Sequence, residues 1–139
     1  MSNMNDFVIK NGILVEYKGR DANVVIPDDD SVTSLGDWCF GDCSSLTSIT
    51  IPDSVTSLGD ECFTWCESLK SITIPDSVTS LGNWCFGNCS SLTSITIPDS
   101  VTSLGDECFD VGVNLTIRAE EGSTAAEYAE KNGIKLELI

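Results

Sequence analysis

Hydrophobic positions along residues 32–100 fall in the same order three times over. Three consecutive 23-residue segments read VTSLGDWCFGDCSSLTSITIPDS, VTSLGDECFTWCESLKSITIPDS and VTSLGNWCFGNCSSLTSITIPDS; a fourth begins at Val101 and decays after Phe109. A fixed period of this size predicts a solenoid, in which each coil buries its apolar side only against its neighbours. Within the first segment Leu46, Ile49 and Ile51 form an L-x-x-I-x-I run, matched by Leu69, Ile72 and Ile74 and by Leu92, Ile95 and Ile97. A spacing of two puts Ile49 and Ile51 on one face of a strand and Thr50 on the other. Pro52, Pro75 and Pro98 follow at once, and a residue without a ladder donor ends its strand. Val55, Leu58 and Phe63 supply apolar groups to the return path, and Gly59 is expected to take positive φ at the bend. Stacked coils then make a parallel sheet with strands about 4.8 Å apart.

The flanks have different patterns. Apolar runs at 7–9 and 13–17 surround Asn11-Gly12, a strong hairpin signal because both residues tolerate positive φ. This hairpin is placed to cover the first coil and hide its open edge. Lys18-Gly19 turns the chain again, and 24–26 begins the repeat sheet. Near the C-terminus, Thr124-Ala125-Ala126-Glu127 matches a capping box and Gly133 after Asn132 a helix stop. The pattern predicts a helix over 125–132 with Ala126, Tyr128 and Ala129 toward the last coil, then a strand over 134–139. Residues 1–5 are polar and expected to be disordered, and the first coil is preceded by IPDDDSV, two residues longer than the later IPDSV. The expected organisation is one domain over 1–139: an N-terminal cap (1–25), about four 23-residue repeats (26–117) and a C-terminal cap (118–139).

The pattern L-x-x-I-x-IP-x-x-V-x-x-L-G-x-x-C-F-x-x-C resembles the BspA-like (Treponema pallidum-type) leucine-rich repeats. The segments FVIKNGILVEYKGRDANVVIP and NLTIRAEEGSTAAEYAEKNGIKLELI resemble that family's N-terminal hairpin and closing helix and strand. The resemblance covers nearly the whole chain. It implies an α/β repeat solenoid: a right-handed leucine-rich-repeat coil with short parallel strands, an N-terminal β-hairpin cap and a C-terminal helix-strand cap. It also implies a non-enzymatic protein-binding or adhesion-type module from a secreted or cell-surface parent, with no catalytic residue and no cofactor to carry over. One departure stands out: where the family commonly has Ala before the Phe, this chain has Cys39, Cys62, Cys85 and Cys108.

Charge narrows the partners. Seven basic against 22 acidic residues give −15, and Lys70 is the lone basic residue between Asp21 and Ile117. Such a surface repels phosphate backbones and anionic lipids, so neither nucleic-acid nor membrane-surface binding is expected. No targeting or spanning segment is legible in the chain. The absence of histidine removes the commonest general base and every Ser-His or Cys-His pair, and no G-x-S-x-G or phosphate loop occurs. An enzyme is therefore not expected.

Four groups of residues remain as candidates. The cysteines form two columns, Cys39, Cys62, Cys85, Cys108 and Cys43, Cys66, Cys89; they read as small buried hydrophobes, with inter-coil disulfides or a thiol or soft-metal site as the alternative. Asp53, Asp76 and Asp99 form one acidic column, and Asp37, Asp60 and Asp106 another; turn capping is the favoured role, calcium the alternative. The outward strand face offers Thr50, Thr73, Thr96 and Lys70, a broad and weak surface or merely a β-favouring ladder. Finally, Trp38 and Trp84 alternate with Glu61 and Glu107, while Trp65 stands where the other units have Asp42, Asn88 and Val111. Positions that vary between otherwise identical units are expected to be exposed. Exposed tryptophans mark a contact surface for another protein or another copy of the chain, unless each ring lies flat over Gly41 or Gly87. The near-identity of the units also fits a designed or consensus scaffold with no native partner.

Overall fold

The computed structural model describes residues 4–28, 31–109 and 114–139. Residues 1–3, the extra pair Asp29-Asp30 and Val111 lie outside the described residues. A short 3-10 turn, Met4–Asp6, occupies part of the stretch expected to be disordered. It leads into β1 (Phe7–Lys10) and β2 (Ile13–Tyr17), an antiparallel hairpin pairing Phe7 with Tyr17 and Lys10 with Ile13. Asn11 and Gly12 take φ of 53° and 81° at its turn, as the dipeptide predicts. β3 (Asn23–Val25) follows.

Each coil then carries two strands, not one. The V-T-S-L segment, read from the sequence as a plain return path, holds a two-residue strand: β4 (Ser34–Leu35), β6 (Ser57–Leu58), β8 (Ser80–Leu81) and β10 (Ser103–Leu104). The S-I-T segment holds the other: β5 (Ser48–Thr50), β7 (Ser71–Thr73) and β9 (Ser94–Thr96). β11 (Thr116–Ala119), α1 (Thr124–Lys131) and β12 (Lys135–Leu138) complete the chain. The first set joins the hairpin in one sheet, β1-β2-β4-β6-β8-β10, parallel beyond the hairpin. The hairpin thus closes the V-T-S-L edge, while β3 closes the S-I-T edge by pairing with β5. The S-I-T set is interrupted: β7-β9-β11-β12 is continuous, but β5 and β7 share no ladder.

Rings run through the interior from cap to cap. Phe7, Tyr17, Phe40, Phe63, Phe86, Phe109 and Tyr128 follow one another at centroid separations of 5.1–5.6 Å. The repeat-borne rings are nearly parallel, 8° and 4° apart at Phe40–Phe63 and Phe63–Phe86, and those three are fully buried. Burying one such ring stabilises the fold by roughly 1.5–3 kcal/mol. Tyr17 stands one period before Phe40, so the cap supplies the first ring of the repeat's own column.

Polar constants of the repeat tie coil to coil. The hydroxyl and amide of Thr56 both donate to the Thr33 carbonyl, and Thr79 does the same to Thr56. Asp37 Oδ1 accepts from the Asp60 amide, Asp60 Oδ1 from Asn83, and Asn83 Oδ1 from Asp106, at 2.7–2.9 Å. This column bonds between coils rather than capping its own turn, which corrects the turn reading. Gly59 needs correction too, because its φ is not positive. A Cβ there would stand 2.8 Å from the Asp37 nitrogen and 2.9 Å from the Gly36 carbon, so glycine is required by close approach of the preceding coil. At the helix, Ser123 is the N-cap, accepting from Ala126, and Asn132 the C-cap. The cap therefore falls one residue before Thr124, and no capping box forms. Ala125, Ala126 and Ala129 are buried against the last coil, with Tyr128 edge-on to Phe109 at 73°.

Candidate binding face

The turn segments 37–42, 60–65 and 83–88 hold the chain's unusual backbone. Bonds from i+3 to i wind each one: in the first, Cys39 donates to Gly36, Gly41 to Trp38 and Cys43 to Phe40; in the second, Thr64 to Glu61 and Cys66 to Phe63; in the third, Gly87 to Trp84 and Cys89 to Phe86. Two residues per segment take left-handed φ: Trp38 at 62° and Asp42 at 61°, Glu61 at 53° and Trp65 at 61°, Trp84 at 55° and Asn88 at 59°. Asp and Asn accept such angles readily, whereas a bulky side chain there is an outlier costing about 1–2 kcal/mol. No backbone preference explains tryptophan at these positions.

All three indoles are exposed, Trp38 at 48%, Trp65 at 46% and Trp84 at 38%. Two are also pinned from beneath. A Cβ on Gly41 would collide with the Trp38 ring, and one on Gly87 would meet Trp84 Cε3 at 3.0 Å. The rings of Trp38 and Trp84 thus cover their glycines with one side and present the other to solvent. In the middle coil the glycine is replaced by Thr64, which is buried and donates its hydroxyl to the Gly87 carbonyl. Around the indoles Asp37, Asp42, Asp60, Glu61, Asp106 and Glu107 are all exposed, and these turns contain no Lys or Arg.

Lys70, Thr50, Thr73 and Thr96 are not brought to this face. Thr50, Thr73 and Thr96 lie in the S-I-T strands, with Thr73 in register with Thr96 and Thr96 with Arg118. Lys70 is exposed just before β7. Its equivalents Thr47 and Thr93 send hydroxyls back to the preceding coil, a bond that lysine cannot repeat in the same way. Beside it the amide of Lys70 reaches the Thr47 carbonyl only at 3.4 Å, against 2.7 Å for Thr47 to Ala22. Ile74 donates to Thr96 and Ile97 to Arg118, but no such bond joins Ile51 to Thr73. A groove of about 510 Å³, lined by Thr50, Thr73, Asp53 and Asp76 among others, opens there.

The cysteines are interior and unbridged among the described residues, Cys43 alone being half-buried. Cys39 and Cys62 bring their sulfurs to 3.5 Å. Cys66 and Cys89 donate to the carbonyls of Phe40 and Phe63, which makes the second column a set of backbone ties. Burial, then the Cys39 thiol and the Asp42 carboxylate, push Cys43 from the ordinary 9.0 up to about 11. Burial likewise holds Cys62 far up; at Cys66 and Cys108 the hydrogen bond to a neighbouring thiol, Cys89 and Cys85 respectively, raises the thiol most, and burial adds to it. At Cys85 burial is outweighed by hydrogen bonds from the Cys108 and Cys62 thiols, which hold that thiol below its ordinary value. Among the described residues no group of three or more Cys, Asp or Glu side chains is arranged to hold a metal ion. Nor is any described helix long and apolar enough to cross a membrane.

Comparison with known proteins agrees with this architecture. The family model described as a BspA type leucine rich repeat region matches residues 17–121 in six copies. Its start at Tyr17 counts the cap's ring as a repeat position. Among solved structures, a leucine-rich repeat protein from Bacteroides capillosus superposes with a TM-score of 0.69 at 24% identity, over 83% of this chain and 99% of that one. The Treponema pallidum leucine rich repeat protein gives 0.61 at 23%, over 84% and 70%. A leucine-rich repeat protein from Bacteroides ovatus gives 0.62 at 29%, over 88% of this chain and 36% of that one. No curated protein matches significantly. With a solenoid of this geometry and a family match over most of its length, the chain belongs to the BspA-type leucine-rich-repeat family.

Proposed function

We propose that this chain is a non-catalytic protein-binding repeat module of adhesion type, and that its contact surface is the turn face carrying Trp38, Trp65 and Trp84. One observation carries the reading: three exposed aromatic side chains occupy left-handed backbone, where small polar residues are at home. Tryptophan is the residue most enriched among energetic anchors of protein interfaces. Pinning against Gly41 and Gly87 reduces the rotamer entropy that binding removes. The Thr50, Thr73, Thr96 and Lys70 strand face lacks an anchor of this kind.

The test is replacement of all three tryptophans by Asn, which tolerates left-handed backbone and already stands at position 88. On an array of purified extracellular and matrix proteins the parent is expected to bind at least one member. The triple variant should keep its circular dichroism and lose that binding. Retained binding refutes the assignment, and an unfolded variant returns the indoles to a structural role.

A further inference from the structure

Resting on that reading of the face, we infer that it takes a cationic helix of a partner protein, laid along the solenoid axis with its Arg side chains in one stripe. The backbone ladder aligns the positions. Trp38 donates to Asp60, Glu61 to Asn83 and Trp84 to Asp106, so Trp38, Glu61 and Trp84 succeed one another in neighbouring coils. Likewise Asp42 donates to Thr64 and Trp65 to Gly87, placing Trp65 between Asp42 and Asn88 in a second column. Each coil therefore contributes one indole, from alternating columns, with the Glu61 carboxylate between the two of the first column and Asp42 beside Trp65 in the second.

The spacing selects the ligand. Equivalent rings in successive coils, Phe40 to Phe63 and Phe63 to Phe86, are 5.3 Å apart. An α-helix advances about 5.4 Å per turn. Residues i, i+3 or i+4, and i+7 of a helix thus meet three successive coils, with the middle one offset to the side as Trp65 is offset from Trp38 and Trp84. A strand offers same-face residues about 6.7 Å apart and drifts out of register within two coils.

Charge selects the side chain. The chain carries −15 and has no cation in these turns. A guanidinium stacks on an indole while its fork reaches a carboxylate, a combination lysine matches only in part. Glu61, between Trp38 and Trp84, is placed to receive such a fork from either side. The chain's own helix, TAAEYAEK, has no such stripe, so a second copy is not the occupant.

The probe is a synthetic alanine-based helix with Arg at i, i+4, i+7 and i+11, labelled with fluorescein and titrated with the intact chain by fluorescence anisotropy. Controls are a helix of the same composition with its Arg spread around all faces, an Arg-rich polyproline peptide of equal charge, and a Leu-striped helix. The striped Arg helix is expected to bind at least about tenfold tighter than the spread one, the equivalent of two exposed cation–π contacts. Its affinity should fall with added salt, fall again in Glu61→Gln, and vanish in the triple Trp→Asn variant. Equal affinity for the striped and spread helices, or for the polyproline peptide, overturns the inference as plain charge attraction. Trp-dependent binding of the Leu helix alone overturns the partner's chemistry while leaving the contact surface standing. Arg-helix binding that survives the triple variant places the site elsewhere and overturns the inference outright.

Discussion

Substitution of Gly82 by Ala tests the cause of the glycine column. A Cβ at this residue would lie 2.5 Å from the Gly59 carbon and 2.6 Å from the Asp60 nitrogen. Both are backbone atoms of the preceding coil, so no side chain can swing aside, and the coils must part by about 1 Å to reach ordinary contact. That movement strains the bonds from Gly82 to the Leu58 carbonyl and from Asn83 to Asp60 Oδ1, both 2.9 Å. Overpacking of this kind costs about 1–3 kcal/mol, and two weakened bonds add about 1 kcal/mol each. The expected loss is about 3–5 kcal/mol, a large part of the roughly 5–15 kcal/mol typical of a folded domain. Urea unfolding followed by circular dichroism should show it, together with a Tm about 10 °C lower or more. Gly82→Asn separates the two explanations. If left-handed backbone were the reason for glycine, Asn would be the milder change; close approach makes it at least as harmful as Ala. A Gly82→Ala variant within about 0.5 kcal/mol of the parent, or relief by Asn, refutes the reasoning.

Other expectations follow from the core and the caps. Phe63→Ala should cost about 3–5 kcal/mol, because the ring is fully buried between Phe40 and Phe86; Phe63→Leu, which keeps most of the volume, should cost less than half of that by the same unfolding assay. Ser123→Ala should lose about 1 kcal/mol, whereas Thr124→Ala, one residue inside the helix, should be nearly silent in thermal melts. The raised thiols set an alkaline limit: the folded state holds the Cys43 proton up to about 11, while the unfolded chain releases it near 9.0. Folded chain then binds the extra proton between these values, so stability is full below pH 9 and declines as pH rises above it. Melting curves from pH 7 to 11 should follow that course, and Cys43→Ser should reduce the slope.

The sequence reading reached the strand with Ile49 and Ile51 inward, the proline stops and the Asn11-Gly12 turn because each rests on forces within one coil. It misassigned Gly59 and Asp37 because their reasons lie in neighbouring coils, the preceding one for Gly59 and the next one for Asp37. A repeat keeps a position constant for either cause, and composition at that position does not say which. Gly59 is kept by the backbone of Asp37 passing close by, and Asp37 by the amide of Asp60. The second strand escaped notice since Ser34–Leu35 is too short to show alternation. Among the candidate residues, exposure of the tryptophans was legible from their variation between units. Their left-handed backbone was not, since Trp and Glu occupy a conformation that their own preferences oppose. Nor was the separation of Lys70 and the threonines from the indoles, which depends on where the coil turns.

The missing ladder between β5 and β7 has a mechanical consequence. One seam of the solenoid, from β1 to β10, is stitched without interruption, whereas the opposite seam is notched beside Lys70. Under a bending load the unbroken seam resists extension and the notch yields first. Flexure of this rod therefore concentrates at a single coil junction, and the sense of the bend is set by which seam is whole. Amide exchange would register it as a step: Ile51 fast, with Ile74 and Ile97 slow in the bonds they donate. The junction beside Lys70 thus divides the S-I-T ladder into two lengths, β3-β5 and β7-β9-β11-β12.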